Sequence, residues 1–207
     1  MVIRNFFIAF SMLVLTALST QAQNSGVGFK GGVNMTKLTS EQPADYDFGY
    51  YGGVFLSLPV NQALSIQPEF IYTKYKSTSE YSLAGANYTN EYELDAIQIP
   101  LMGKVHFAQI LFLEVGPQAS FLLSQKQTKT VESSLGGGTT TTEEDLSYKE
   151  IEWYINMGAG IELPVGLHLN VRYNLGMNNL NDDSSDDNEV RTRMWQVGIG
   201  YRFGSSN

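Results

Sequence analysis

Few side chains in this sequence could act as a general base near neutral pH. The chain has two histidines, His106 and His168, and histidine is the commonest group in acid–base catalysis. It has no cysteine, which excludes thiol catalysis, disulfides, cysteine-based zinc sites and lipid attachment through cysteine. It also lacks a phosphate-binding loop, a metal-binding helix motif and a Gly-x-Ser-x-Gly elbow. The residue types therefore predict a protein that is not an enzyme and uses no cofactor.

Residues 181–189 form an acidic segment whose carboxylates could bind calcium or magnesium. The candidate ligands are Asp182, Asp183, Asp186 and Asp187. The segment lacks the spacing and the turn glycine of a calcium-hand loop, so a solvated loop of mutually repelling charges is the favoured interpretation. We predict no metal site, and these four aspartates are weak candidates.

The overall charge argues against a nucleic-acid partner. The chain carries 13 basic and 21 acidic residues, for a formal net charge of -8, so it has no basic footprint for a phosphate backbone. Its 207 residues, 43% of them apolar, are enough for one domain with a sizeable apolar surface.

The N-terminus resembles an export signal. A basic start at Arg4 is followed by an apolar stretch from Phe6 to Leu18 and by small residues before Ala22. That stretch is shorter than the ~20 residues of a membrane-spanning helix. We predict a signal peptide over 1–22 and a single domain over 23–207. No later apolar run is long enough for a helical span, so any membrane crossing must use strands.

From residue 25 onward the hydrophobic period is two, which predicts strands and no helix. In residues 195–203 the apolar residues alternate with Gln196, Gly198, Gly200 and Arg202. Such runs indicate about eight strands, near 25–36, 47–59, 63–76, 90–107, 110–124, 147–163, 167–177 and 189–203. The connections alternate between tight turns and long polar loops, the latter at 37–46, 77–89, 125–146 and 178–188. This asymmetry is typical of outer-membrane β-barrels and predicts both termini in the periplasm.

The period alone does not say which face points inward, but the polar face carries small glycines that suit a narrow lumen. It is also poor in the lysine and glutamate that a soluble barrel needs. Aromatic residues on the apolar face fall into two groups, as membrane-interface girdles would. These interface aromatics are Trp153, Trp195, Tyr201 and Phe203. The fold class is therefore an all-β, eight-stranded antiparallel up-and-down transmembrane barrel.

Eight charged residues fall on inward positions and make up a candidate lumen charge network. They are Lys30, Lys104, Arg172 and Arg202 with Glu69, Glu114, Glu152 and Glu162. Charges buried in so narrow a barrel must pair to offset desolvation, which favours a plugged core. The alternative is a narrow polar path with these charges as its filter. Both histidines fall beside tight turns, at the wrong end for an enzyme that modifies outer-leaflet lipid.

Several segments resemble the PorT-like outer-membrane barrel family of Bacteroidota. They are residues 26–34 (GVGFKGGVN), 65–70 (SIQPEF), 98–101 (QIPL) and 198–203 (GIGYRF). The resemblance spans nearly the whole mature chain and implies a small eight-stranded outer-membrane barrel, in a family whose founding member is tied to protein secretion. It assigns no catalytic or ligand residue.

These observations favour a structural or interaction role in the cell envelope, with membership of a secretion or assembly complex as one form of it. The expected partners are outer-membrane lipid, lipopolysaccharide and an envelope protein complex. A divalent ion on the acidic segment would serve to bridge to lipopolysaccharide. The alternative function is a narrow pore for ions or solutes, and a lipid-modifying enzyme is the least favoured.

Overall fold

The computed structural model describes residues 26–39, 46–83, 86–107, 110–133, 139–145, 151–179 and 191–203. The predicted signal peptide and the acidic segment with Asp182, Asp183, Asp186 and Asp187 lie outside these ranges. Within them, no helix is long and apolar enough to cross a membrane. Their regular structure is entirely β-strand.

The described ranges contain nine strands, and each neighbouring pair is antiparallel. Their bounds are β1 Gly26–Thr39, β2 Asp47–Pro59, β3 Leu64–Leu83, β4 Ala86–Phe107, β5 Leu111–Ser133, β6 Thr139–Asp145, β7 Ile151–Glu162, β8 Leu167–Gly176 and β9 Arg191–Arg202. β1 pairs with β2 and β9, and β5 pairs with both β4 and β7. All strands except β6 thereby close into one ring. The eight-stranded antiparallel barrel predicted from the sequence is confirmed, and β6 is an additional strand.

The apolar side chains point out of the barrel and the polar ones into it. On β9, Trp195, Val197 and Ile199 are 41%, 46% and 51% exposed, whereas Gln196 between them is 1% exposed. Each of the remaining ring strands also carries large exposed apolar residues. A water-soluble barrel would show the opposite pattern, since it buries its apolar face.

Two of the predicted loops are instead strand extensions. β3 and β4 pair until Leu83 meets Ala86, so the loop expected over 77–89 is strand at 77–83 and 86–89. β5 continues to Ser133 and pairs with β6, so the loop expected over 125–146 contains strand. Threonine and tyrosine in these segments favour strand, and cross-strand bonds satisfy the backbone groups that a loop would leave to water.

These extensions form a four-stranded sheet beyond the ring, built from residues 76–83, 86–95, 124–133 and 139–145, here called the projecting sheet. A register shift at Asp95/Ala96 leaves Leu123 unpaired in the β4–β5 ladder. Such a bulge bends the strands and re-aims their side chains. It marks where β4 and β5 leave the barrel.

At the opposite end the connections are short, and the β7–β8 turn depends on a glycine. Gly166 has a φ of 88°, a left-handed conformation that other residues adopt at a cost. Its amide donates to the Leu163 carbonyl at 2.9 Å. A Cβ at this position would also collide with the carbonyl oxygen of Arg202. The turn therefore holds β8 tightly against the end of β9.

Candidate functional site in the barrel lumen

Five of the predicted lumen charges meet in the middle of the barrel and form what we call the central charge cluster. It consists of Lys30 on β1, Glu69 on β3, Lys104 on β4, Glu114 on β5 and Arg172 on β8. Each is at most 3% exposed. The inward side chains of widely separated strands converge because the ring is narrow.

Arg172 joins the two carboxylates of the cluster. Its two terminal guanidinium nitrogens lie 2.9 Å from the two oxygens of Glu69. Its Nε donates to Glu114 Oε1 at 2.9 Å. This two-pronged geometry suits the planar guanidinium and is stronger than a single contact. Arg172 is thus the central residue of the cluster.

The two lysines complete the coordination of these carboxylates. Lys30 Nζ lies 3.1 Å from Glu69 Oε1. Lys104 Nζ lies 3.8 Å from Glu114 Oε2 and 4.2 Å from the centre of the Phe112 ring. Neutral donors contribute as well, with Gln67 on Glu69 at 2.7 Å and Asn170 on Glu114 at 3.2 Å. Both oxygens of Glu69 therefore accept hydrogen bonds, as a buried charge requires. Glu114 Oε2 is buried without a hydrogen-bond partner, and Lys104 is its nearest cation.

A second, more exposed group lies at the short-turn rim. Glu162 accepts from Arg202 at 2.8 Å, and its other oxygen lies 3.2 Å from His106 Nε2. The side chains of all three are between 16% and 25% exposed. His168 is elsewhere, with its ring centre 5.2 Å from that of Phe55. In the described part of the chain, His106 contacts a carboxylate, and the buried His168 Nε2 has no hydrogen-bond partner, so neither ring is paired with a nucleophile.

Glu152 departs from the pairing expected for the lumen charges. Its carboxylate accepts hydrogen bonds from Tyr154 at 2.6 Å and Tyr75 at 3.2 Å. Among the described residues, no cation lies within ion-pair distance of it. The reason is position, because Glu152 lies six residues along β7 from Gly158, the cross-strand neighbour of Arg172. That spacing is roughly 20 Å of strand.

Apolar side chains fill the lumen at the long-hairpin end, a feature that the sequence reading missed. This apolar plug consists of Leu38, Tyr75, Leu94, Ala96, Leu122 and Met194. All are at most 9% exposed. Strand alternation could have predicted this plug. Its residues stand at inward-facing positions, which carry polar side chains further along the same strands.

Glycines on the inward face make room for large lumen side chains. A Cβ on Gly198 would collide with the Tyr51 hydroxyl, and one on Gly160 would collide with the Phe112 ring. Tyr51 and Phe112 are 4% and 0% exposed. These glycines therefore allow aromatic rings to lie across a narrow barrel.

Aromatic residues on the outer surface cluster at two levels. Near the short turns, the Phe203 ring lies 5.6 Å from Phe29 and 5.2 Å from Tyr201. Towards the long hairpins, Trp195 lies 4.8 Å from Tyr173, and Trp153 is 55% exposed. The spacing from Trp195 to Phe203 corresponds to about 26 Å of strand, or about 20 Å along the normal of a barrel with strands tilted by about 40°. This approaches the thickness of an outer-membrane apolar band, about 25 Å.

Charged residues appear on the outer surface where β3 and β4 leave the ring. Lys74 Nζ lies 3.2 Å from Glu93, and Lys76 contacts the other oxygen of the same carboxylate. The hydrogen bond from Lys76 lowers the pKa of Glu93 below its ordinary value. Charges that face outward are costly in lipid, so the apolar band ends below this group.

Neither the rims nor the core offers a recognisable metal centre within the described ranges. No group of three or more histidine or acidic side chains is positioned to hold an ion. The four candidate aspartates of the acidic segment lie outside these ranges.

Comparison with known proteins gives a family match and a fold match. The family model described as "Outer membrane protein beta-barrel domain" matches residues 21–182. Among solved structures, Neisserial surface protein A aligns with a TM-score of 0.51 and 13% identity, covering 86% of this chain and 97% of that one. Ail of Yersinia pestis aligns with a TM-score of 0.47 and 11% identity, covering 87% and 99%. At 13% identity, the likeness to Neisserial surface protein A shows the fold alone. No curated protein matches the sequence significantly.

Proposed function

The chain belongs to the outer membrane protein beta-barrel domain family, and from this premise we propose that it is an interaction module of the outer membrane and not a conduit or a catalyst. Its place is the outer membrane. The family resemblance described above extends the proposal to a PorT-like barrel of Bacteroidota that belongs to a secretion or assembly complex. The proposed partners are outer-membrane lipid, lipopolysaccharide and an envelope protein complex, with no nucleic acid.

The observation that carries the proposal is the projecting sheet. β3, β4 and β5 continue past the ring, and β6 adds a fourth strand there. Among the described residues β6 pairs with β5 alone, so its other edge has no strand partner. Thr139, Thr141 and Glu143 of this edge strand are exposed. An exposed strand edge offers a row of backbone donors and acceptors to a partner strand. The projecting sheet is therefore suited to protein contact.

The lumen supports the same proposal. The apolar plug closes one end, and the central charge cluster, with each member at most 3% exposed, occupies the middle. A water-filled path needs polar walls with space between them. Side chains packed across the barrel favour a structural role for the charges over a filter.

We also propose an orientation with both termini in the periplasm, the predicted signal peptide over 1–22 removed, and the projecting sheet outside the cell. Short turns on the periplasmic side and longer connections outside are the usual arrangement of such barrels. The aromatic groups with Trp153 and Trp195, and with Tyr201 and Phe203, would then lie at the outer and inner interfaces.

The test is co-purification from the native outer membrane in mild detergent, through a tag on the C-terminus. We expect a stoichiometric envelope protein with the wild-type barrel. Replacing residues 127–144 with Asn-Gly would remove the β6 edge while closing the β5–β6 hairpin at the paired positions Lys126 and Asp145 with a favourable turn. This variant should fold and lose the partner. A barrel that purifies alone, or a partner retained by the folded variant, would contradict the proposal.

A further inference from the structure

Beneath the apolar plug lies a row of buried polar side chains, Gln98, Ser120 and Glu152, which we call the polar layer. Ser120 of β5 is the cross-strand neighbour of both Gln98 on β4 and Glu152 on β7. Along β4, Gln98 lies between Ala96 of the plug and Lys104 of the central charge cluster. All three residues of the layer are 0% exposed. Facing residues of antiparallel strands have Cβ atoms about 4.5–5.5 Å apart, so these side chains enter the lumen side by side.

Each residue of the polar layer has a buried oxygen atom without a hydrogen-bond partner in the described part of the chain. Glu152 Oε2 accepts from Tyr154 and Tyr75, but Glu152 Oε1 has no donor. Ser120 Oγ and both polar atoms of the Gln98 amide are also without a partner. Buried polar atoms are almost always hydrogen-bonded. Three neighbouring side chains with unpaired oxygens therefore indicate a ligand that they share.

The charge of Glu152 indicates what kind of ligand this is. Among the described residues, no lysine, arginine or histidine lies within ion-pair distance of its carboxylate. Its polar neighbours are neutral hydroxyls, with Tyr75 and Tyr154 as donors and Thr192 approaching from β9 without reaching hydrogen-bond geometry. An ionised carboxylate without a cation is among the most costly groups to bury. The polar layer therefore lacks one positive charge.

We propose that the polar layer binds one monovalent metal ion between Glu152, Ser120 and Gln98. Carboxylate, hydroxyl and amide oxygens are the ligands that hard cations prefer. A single positive charge balances the single carboxylate, whereas a divalent ion would leave a surplus charge buried in the lumen. Because the layer is buried, the ion is enclosed when the strands close into the ring, and its binding contributes to folding. It is a structural ion that links β4, β5 and β7 beneath the plug.

The experiment measures urea unfolding and refolding of the mature chain in phosphatidylcholine vesicles, at fixed pH and ionic strength, with sodium replaced stepwise by choline. Choline is too large to be enclosed by these side chains. The wild type should be more stable in sodium, and above the dissociation constant each tenfold rise in sodium should raise the folding equilibrium constant about tenfold. Glu152→Gln keeps an acceptor for both tyrosines but removes the charge, so it should fold and lose this dependence.

The matched control is Glu80→Gln, which removes an exposed carboxylate of β3 and should keep the full sodium dependence. Thallium(I), a monovalent ion that anomalous scattering can locate, should lie beside Glu152 in crystals of the wild type and be missing from those of Glu152→Gln. Equal sodium dependence of the wild type and Glu152→Gln would overturn the proposal. Stability that changes with pH but not with sodium would also overturn it, since a proton would then neutralise Glu152.

Discussion

At the scale of single residues, the lumen depends on Arg172. Its side chain touches both buried carboxylates of the central charge cluster, and no other residue does so in the described part of the chain. Lys30 and Lys104 each serve one of them. Pairing of this kind often adds little net stability over an apolar core, but removing one member leaves a charge buried without compensation. Removing one member of the cluster is therefore expected to cost more folding stability than the intact pair contributes.

Replacing Arg172 with Met should destabilise the folded barrel by about 3 kcal/mol or more, because Glu69 and Glu114 would stay buried with one lysine each. The measurement is the urea midpoint of unfolding in lipid vesicles. Val171→Met is the matched control, since the neighbouring side chain faces lipid and is 45% exposed. Adding Glu114→Gln to Arg172→Met should recover part of the loss. An unchanged midpoint for Arg172→Met would show that the cluster is not tightly coupled.

At the scale of elements, the two ends of the barrel are built differently. The short-turn end is fixed by local chemistry, such as the left-handed Gly166 in the β7–β8 turn. The opposite end is fixed by pairing over long hairpins, which extend into the projecting sheet. Short turns limit the register of the strands they join, whereas long hairpins depend on each cross-strand pair.

Gly166→Ala tests how much the β7–β8 turn contributes. The new Cβ requires a positive φ and meets the Arg202 carbonyl, so we expect a loss of about 1–3 kcal/mol in unfolding free energy. Gly52→Ala is the control, because its nearest neighbour would be 3.9 Å away. The check is a comparison of the two urea midpoints. Equal midpoints would mean that the turn adjusts without cost.

At the scale of the whole molecule, the barrel is a closed ring with a filled lumen and an apolar exterior. Across the apolar band, the charged residues lie inside and the exposed apolar residues face outward, the reverse of a soluble domain. Among the described features, the projecting sheet and the charged group of Lys74, Lys76 and Glu93 lie beyond the apolar band at the long-hairpin end. Contact with partners is therefore expected at one end of the barrel.

Single-channel recording tests the filled lumen directly. Purified barrel in a planar bilayer should give no resolved conductance steps, because the apolar plug and the central charge cluster each obstruct the lumen. Leu38→Ser with Leu94→Ser loosens the plug and should still give none, since the charges are untouched. Steady steps whose ion selectivity changes in Arg172→Gln would instead support the pore alternative.

The strand pattern could be predicted because it is local. Alternation of the kind seen around Trp195 and Gln196 fixes which residues share a face, and membrane placement follows from small and polar residues on one side. The projecting sheet could not be predicted, because the prediction depends on this local alternation of apolar and polar residues. Its polar threonine-rich strands have no apolar face, so sequence alone could not distinguish them from a loop.

The sequence by itself determined the class of the barrel, the direction of its faces and the set of charges that point inward. Only the tertiary structure decided which charges meet, because partners such as Arg172 and Glu69 are 103 residues apart and their contact depends on ring closure and strand register. The same register separates Glu152 from the cluster. Period-two alternation encodes the face of a residue, and its neighbours on other strands are set only when the ring closes.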